Sequence, residues 1–191
     1  MNMHKRFTSR FFVAIFCIYI SAYFPQVLAQ GKTHTDPAPI GTAVKSIIQV
    51  GPMNTINYDV DITVLETARG EIAAKKLQTN NAAPVPDAGF EYLLARIRFT
   101  LKGRAVSDTG TFQLGSSPFQ WVAYSSDFRS YQGLSITPPE PPLQGAIKSG
   151  ETREGWVVFA VERSEQQPVL VFDPASGGAM GRGSKLFFRL Y

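Results

Sequence analysis

Two runs of strict two-residue alternation constrain this chain more than anything else in it. Over residues 90–101, Leu93, Ala95, Ile97, Phe99 and Leu101 alternate with Tyr92, Leu94, Arg96, Arg98 and Thr100. Over residues 150–162, a glycine-flanked polar turn runs into a second such segment. There Val157, Phe159 and Val161 alternate with Trp156, Val158, Ala160 and Glu162. A period of two puts alternate side chains on opposite faces of a pleated strand. Strands this long need each other, and further strands, to bury a common apolar face.

The rest of the chain supplies those partners. Residues 44–50 and 57–66 read as strands, the second with Val60, Ile62 and Val64 on one face and Asp59, Asp61 and Thr63 on the other. Shorter strands follow over 111–114, 118–125 and 168–172, with a turn and edge segment over 127–133. Residues 185–191 close the sheet, with Leu186, Phe188 and Leu190 facing in. Between the second and third strands, residues 70–79 are rich in helix formers, and Ile72, Ala73 and Leu77 fall at helical spacing. Residues 137–142, Thr-Pro-Pro-Glu-Pro-Pro, have too few amide hydrogens for a central strand and read as a stiff crossing loop. The stretch from Asp173 to Ser184 reads as a glycine-rich hairpin connection between the last two strands. The expectation is an all-β chain: an immunoglobulin-like antiparallel β-sandwich of about seven to eight strands with one short helix.

The N-terminus carries an address. Lys5, Arg6 and Arg10 precede an apolar stretch that ends, after Pro25, in Val27-Leu28-Ala29. A basic start, apolar middle and small-residue end is the pattern of a secretory signal peptide over 1–29, with the mature chain beginning at Gln30. Residues 30–42, broken by Pro37 and Pro39, read as a flexible lead-in, and 43–191 as the sandwich domain. The whole chain holds 19 basic and 15 acidic residues. Three of the basic ones leave with the signal, so the net charge falls from +4 to +1. That balance, with no basic run or basic-aromatic stripe, argues against nucleic-acid binding. Cys17, the single cysteine, lies in the signal. A mature chain without thiols has no disulfide, no thiolate metal site and no cysteine nucleophile, so its sandwich must hold by packing alone.

Three groups of residues occur in a fixed order: Gly89-Phe90-Glu91-Tyr92-Leu93-Leu94; Gly150-Glu151-Thr152 with Gly155 and Val157-Val158-Phe159; and Leu170-Val171-Phe172 with Pro174. Together they resemble a bacterial domain-of-unknown-function family of secreted and surface proteins with a telokin-like immunoglobulin-type fold, that of a mycobacterial immunoprotective antigen. The resemblance runs from about Ile40 to Tyr191. It implies the sandwich, and it implies the short helix, which a subgroup of that family carries before the long strand. It brings no catalytic residues. The chain departs from the family in lacking a lipobox cysteine, and in having Leu101-Lys102-Gly103 where many members place an asparagine.

Chemistry-bearing residues are sparse. His34, the only histidine after cleavage, sits in the lead-in, a poor frame for a catalytic base or metal ligand. Asp59 and Asp61 share a strand face, but no third acid follows at calcium-loop spacing. Fifteen acids leave room for a carboxylate-dependent hydrolase, though nothing singles out a pair. Residues 178–185 resemble a phosphate-binding loop, but the lysine and serine are reversed and a strand, not a helix, follows. No cofactor is expected.

The aromatic set is the best candidate for function. Phe119 and Trp121 share one face of the 118–125 strand and Tyr124 lies on the other, with Phe128, Arg129 and Tyr131 following. Part of this set belongs to the core. The remainder of Trp121, Tyr124, Phe128, Arg129 and Tyr131 forms a platform for a protein or glycan partner, since rigid rings give contact area at low entropic cost. The sequence therefore points to a secreted, non-enzymatic binding module. Its alternatives are a membrane-anchored accessory domain of the cell envelope, if the N-terminal segment stays uncleaved, and a carboxylate-dependent extracellular hydrolase.

Overall fold

A computed structural model describes residues 30–50, 56–78, 84–104, 110–115, 117–131, 136–176 and 182–191. The proposed signal peptide, with Cys17, lies outside them. The alternating runs become the spine of a five-stranded antiparallel sheet. Its strands are β1 (Ala43–Val50), β2 (Ile56–Arg69), β3 (Phe90–Gly103), β8 (Thr152–Glu162) and the two-residue β10 (Arg182–Gly183), ordered β10-β1-β2-β3-β8. A second sheet is ordered β11-β9-β5-β6. It is built from β5 (Trp121–Tyr124), β6 (Ser130–Tyr131), β9 (Val169–Phe172) and β11 (Leu186–Arg189). A pair, β4 (Thr111–Leu114) with β7 (Gly145–Lys148), completes a sandwich of eleven strands among the described residues.

The facing sides of the sheets share one apolar core. Val60, Ile62, Val64, Leu93, Ile97, Phe99, Val157, Phe159 and Val161 of the first sheet meet Trp121, Leu170, Phe172, Leu186 and Phe188 of the second. Phe112, Leu114 and Ile147 of the small pair join them. The other face of β3 and β8 is covered as well. Helix α1 (Glu71–Gln78) lays Ala73 and Leu77 over Tyr92, Leu94, Trp156 and Val158. A two-turn helix presents a narrow stripe, here one i, i+4 pair. Ile72, expected on that stripe, lies one residue round the helix and is 65% exposed.

Several expectations change. The lead-in is not a free tether. Ala38 is fully buried, donates its N–H to the Phe187 carbonyl (2.9 Å), and accepts from the Arg189 amide (2.8 Å). The Phe187 amide in turn donates to the Gly31 carbonyl (2.9 Å). An edge strand's free amides need partners. Pro37 and Pro39 leave the ladder intact because the bonding residue is the alanine between them. The strand expected over 118–125 begins only at Trp121, so Phe119 sits in the turn before it. The hairpin expected before the last strand is present, with β9 and β11 paired antiparallel from Phe172 and Leu186, but its connection also reaches the first sheet, where Gly183 pairs with Ile48.

The proline-rich crossing loop lies along the outer edge of β8. The Pro141 carbonyl accepts from the Trp156 amide (2.9 Å), and the Leu143 amide donates to the Trp156 carbonyl (3.1 Å). This approach needs a residue without a side chain beside it. A Cβ at Gly155 would stand 2.5 Å from the Leu143 nitrogen and 2.7 Å from the Pro142 carbonyl carbon. Gly155→Ala should cost about 1–3 kcal/mol through overpacking, read as a lowered denaturant midpoint. Phe99→Ala and Phe159→Ala, both at buried rings, should each cost about 3–5 kcal/mol. A loss below about 1 kcal/mol for both would mean that the sheet faces are assigned wrongly.

Candidate binding surface

Alternation along β5 divides its aromatics between two environments. Trp121 and Ala123 point into the sandwich, while Val122 and Tyr124 point outward. Trp121 is only 6% exposed, with its ring 4.6 Å from that of Phe172. In the register of β5 with β6, Tyr131 stands opposite inward-facing Ala123 and is only 7% exposed. Burial, followed by the nearby Glu162 and Glu165 carboxylates, pushes its hydroxyl pKa up. Trp121 and Tyr131 are therefore core residues, a correction to the surface expected from the sequence. The Tyr131 ring meets that of Phe90 edge-on at 6.5 Å.

Tyr124, Phe128 and Arg129 remain at the surface. Tyr124 is half-buried, its ring stacked on that of Phe128 at 4.7 Å and 20°. The fastened lead-in adds His34, 4.6 Å ring to ring from Phe128, and β11 adds Phe187 at 6.4 Å. Beneath them Val169, Val171 and Phe187 form an apolar cluster on the outer face of the four-stranded sheet, with Tyr124 packed against it. Phe119, 59% exposed, stands on the turn that leads into β5. Sequence reasoning missed His34 because it took the lead-in as solvated. It missed Phe187 because an outward ring on the last strand has no partner in the local pattern.

The loop carrying Phe128 is held from several sides. The Phe128 amide donates to the Ser125 carbonyl (3.0 Å), and the Ser125 amide to the Arg129 carbonyl (2.9 Å). The Ser125 hydroxyl accepts from the Arg129 amide (2.9 Å) and donates to the Asp127 carboxylate. Phe128 itself has φ +65°, the one non-glycine residue in that region among those described. Hairpin loops place glycine or asparagine there, and a bulky side chain costs on the order of 1–3 kcal/mol. The ring is nonetheless 43% exposed. A strained backbone presenting an exposed ring on a rigid hairpin is the feature that core packing does not account for.

Glu165 braces the same loop from below. Its buried carboxylate accepts from the Ser126 amide (2.9 Å), the Ser126 hydroxyl (3.1 Å) and the Gln167 amide (2.7 Å). Burial alone would raise its pKa, but these donors outweigh it and hold the carboxyl below its usual range. Arg129 lies over the surface, paired with Asp127 (2.9 Å) and Glu162 (3.2 Å).

Other sequence candidates are placed apart. Asp59 is bound by Arg104 through two nitrogens, at 2.9 and 2.6 Å. Lys185, from the stretch that resembled a phosphate loop, pairs with Asp173 at 3.0 Å, while residues 178–181 of that stretch lie outside the described ones. Among the described residues no three His, Cys, Asp or Glu side chains cluster as a metal site, and no helix is long and apolar enough to cross a membrane. A second cleft, of about 570 Å³, lies between Pro84–Asp87 and the ends of β3, β6 and β8, with Phe90, Tyr92, Arg129 and Tyr131 in its walls.

Two tests address this geometry. Phe128→Gly removes the strain along with the ring, whereas Phe128→Ala keeps the strain. The glycine variant should melt at a higher temperature than the alanine variant, and the reverse order would mean that the turn is unstrained. For Glu165 the folded pKa lies below the unfolded value. Its stabilisation is therefore full above the unfolded value, about 4.3, and is lost as pH falls through the folded one. Glu165→Gln should be less stable than the parent at pH 7, with the gap closing in acid; a pH-independent gap would contradict the ionised brace.

No family model and no curated protein matches the chain. Among solved structures it is similar to the yjhA protein of Bacillus subtilis, with 18% identity and a TM-score of 0.47 over 73% of this chain and 84% of that one. It is also similar to the ycdA lipoprotein candidate of Bacillus subtilis, with 15% identity and a TM-score of 0.42 over 66% and 35%. A third similar structure is a functionally unknown protein of Listeria monocytogenes, with 11% identity and a TM-score of 0.36 over 79% and 89%. None of these likenesses brings an activity to the chain.

Proposed function

We propose that the chain is a secreted, non-enzymatic binding module, and that it engages its partner through the outer face of the four-stranded sheet. The observation that carries this reading is Phe128, an exposed ring held on a strained turn and stacked on Tyr124. Backbone strain persists only where the surroundings over-determine it, and it collects at ligand clamps. Exposed, rigid aromatics next to an arginine have the make-up of interface hot spots. The two edges of this surface are fixed by other parts of the fold: the lead-in on one side and the turn before β5 on the other. A module of this kind needs a stiff frame and a preformed contact surface, not a nucleophile and its base.

The test uses the secreted protein immobilised as purified and presented with envelope and culture-supernatant fractions of the producing cells. Tyr124→Ala and Phe128→Gly should each lower specific retention at least about tenfold. Thermal unfolding of the Phe128→Gly protein should change by less than about 1 kcal/mol. Retention unaffected by either change would refute the assignment of this face. A mature N-terminus at Gln30 in the soluble fraction is the accompanying expectation, and membrane-bound product that retains Met1 would favour an anchored domain instead.

A further inference from the structure

The same face contains a hollow whose chemistry narrows the ligand. It has a volume of about 200 Å³, and Phe119, Tyr124, Ser130, Asp173, Ser176 and Lys185 are among the residues that line it. Its apolar side is aromatic: Phe119 is exposed, and Tyr124 belongs to the Phe128 stack. Its polar side is fixed. The Asp173 carboxylate accepts from the Ala175 amide (3.0 Å) and pairs with the Lys185 ammonium (3.0 Å). The two walls are joined through Gln120, which is fully buried and follows Phe119 directly. The Gln120 carbonyl accepts from the Asp173 amide (2.9 Å). The Gln120 side chain accepts from the Gly115 amide (2.7 Å) and donates to the Gln113 carbonyl (3.1 Å). The turn that carries Phe119 and the Asp173 carboxylate are therefore set before any ligand arrives.

Three features choose among ligand classes. The aromatic side suits the flat C–H faces of a sugar ring, and the polar side offers what hydroxyl groups need: an acceptor at Asp173, donors at Lys185, and groups that do both at Ser130 and Ser176. Asp173 and Lys185 cancel each other's charge, so an anionic ligand gains little there. An extended peptide would require unpaired backbone to add to. The strands under the hollow leave little of it: β9 lies between β11 and β5, β5 lies between β9 and β6, and the edge strand β6, which brings Ser130, is two residues long. We propose that this hollow seats one uncharged hexose unit of a glycan chain, packed against Phe119 and Tyr124 and hydrogen-bonded to Asp173, Lys185 and Ser176. Neighbouring units of the chain then run over Phe128. The inference rests on the binding-module reading and adds the class of ligand to it.

The test is titration of the purified secreted protein with hexaoses of glucose, mannose and N-acetylglucosamine, and with an oligouronate as the charged comparison, followed by calorimetry. At least one neutral hexaose should bind saturably and more tightly than the oligouronate. Phe119→Ala, at an exposed ring that leaves folding intact, should weaken that binding at least about tenfold, and Ser176→Ala should weaken it to a smaller degree. Failure of every neutral hexaose to bind, tighter binding of the oligouronate, or indifference to Phe119→Ala would overturn the proposal. If the hexaoses fail while retention of a cellular fraction still depends on Phe128, the ligand class is wrong and the binding face stands. If that dependence is absent too, both fall.

Discussion

Phe99 joins the three sheets, and the rest of the molecule is arranged around that joint. From β3 its ring stacks on Phe112 of β4 at 5.8 Å, meets Phe172 of β9 edge-on at 5.8 Å, and meets Trp121 of β5 at 6.4 Å. The described residues hold no cysteine with which to pin one sheet to the other, so this aromatic cluster carries that task. Its members bury large areas, and edge-to-face pairs add to the gain from burial. Trp121 is held there by two rings at once, and that is why it is not at the surface.

The choice made at Trp121 settles the other side of β5. With Trp121 and Ala123 turned inward, Tyr124 must face out, and the loop after it carries Phe128 beside it. The apolar outer face of the four-stranded sheet then receives its edges from distant parts of the chain: His34 from the fastened lead-in and Phe187 from the last strand. The core and the proposed binding face are two sides of one sheet. A change of register in β5 would exchange them.

The sequence made the long runs of alternation legible and concealed the features that depend on partners. Residues 90–101 and 155–162 alternate so strictly that their faces could be assigned at once, and Phe99, Phe159 and Val161 lie where that pattern puts them. The strand β7 escaped notice because Ile147 is its only buried residue, and one apolar position makes no period. Pairing of the lead-in escaped because its cause, the open edge of β11, lies about 150 residues further along the chain. The aromatics of 119–131 were recognised as a group, but their division between core and surface was not. It depends on where β5 begins, and the buried Gln120, with all its bonds to backbone, sets that boundary. Nothing in the local pattern distinguishes Gln120 from a surface glutamine.

Hydroxyl-radical footprinting of the purified protein, alone and mixed with envelope material of the producing cells, tests the central claim most directly. It reports on every ring in the same experiment. The account predicts that Phe119, Tyr124 and Phe128 are reactive in the free protein and protected in the mixture, while Trp121 and Tyr131 stay unreactive in both. Protection confined to Val85 and Phe90, at the cleft on the other side of β6, would contradict it, as would reactive Trp121 in the free protein.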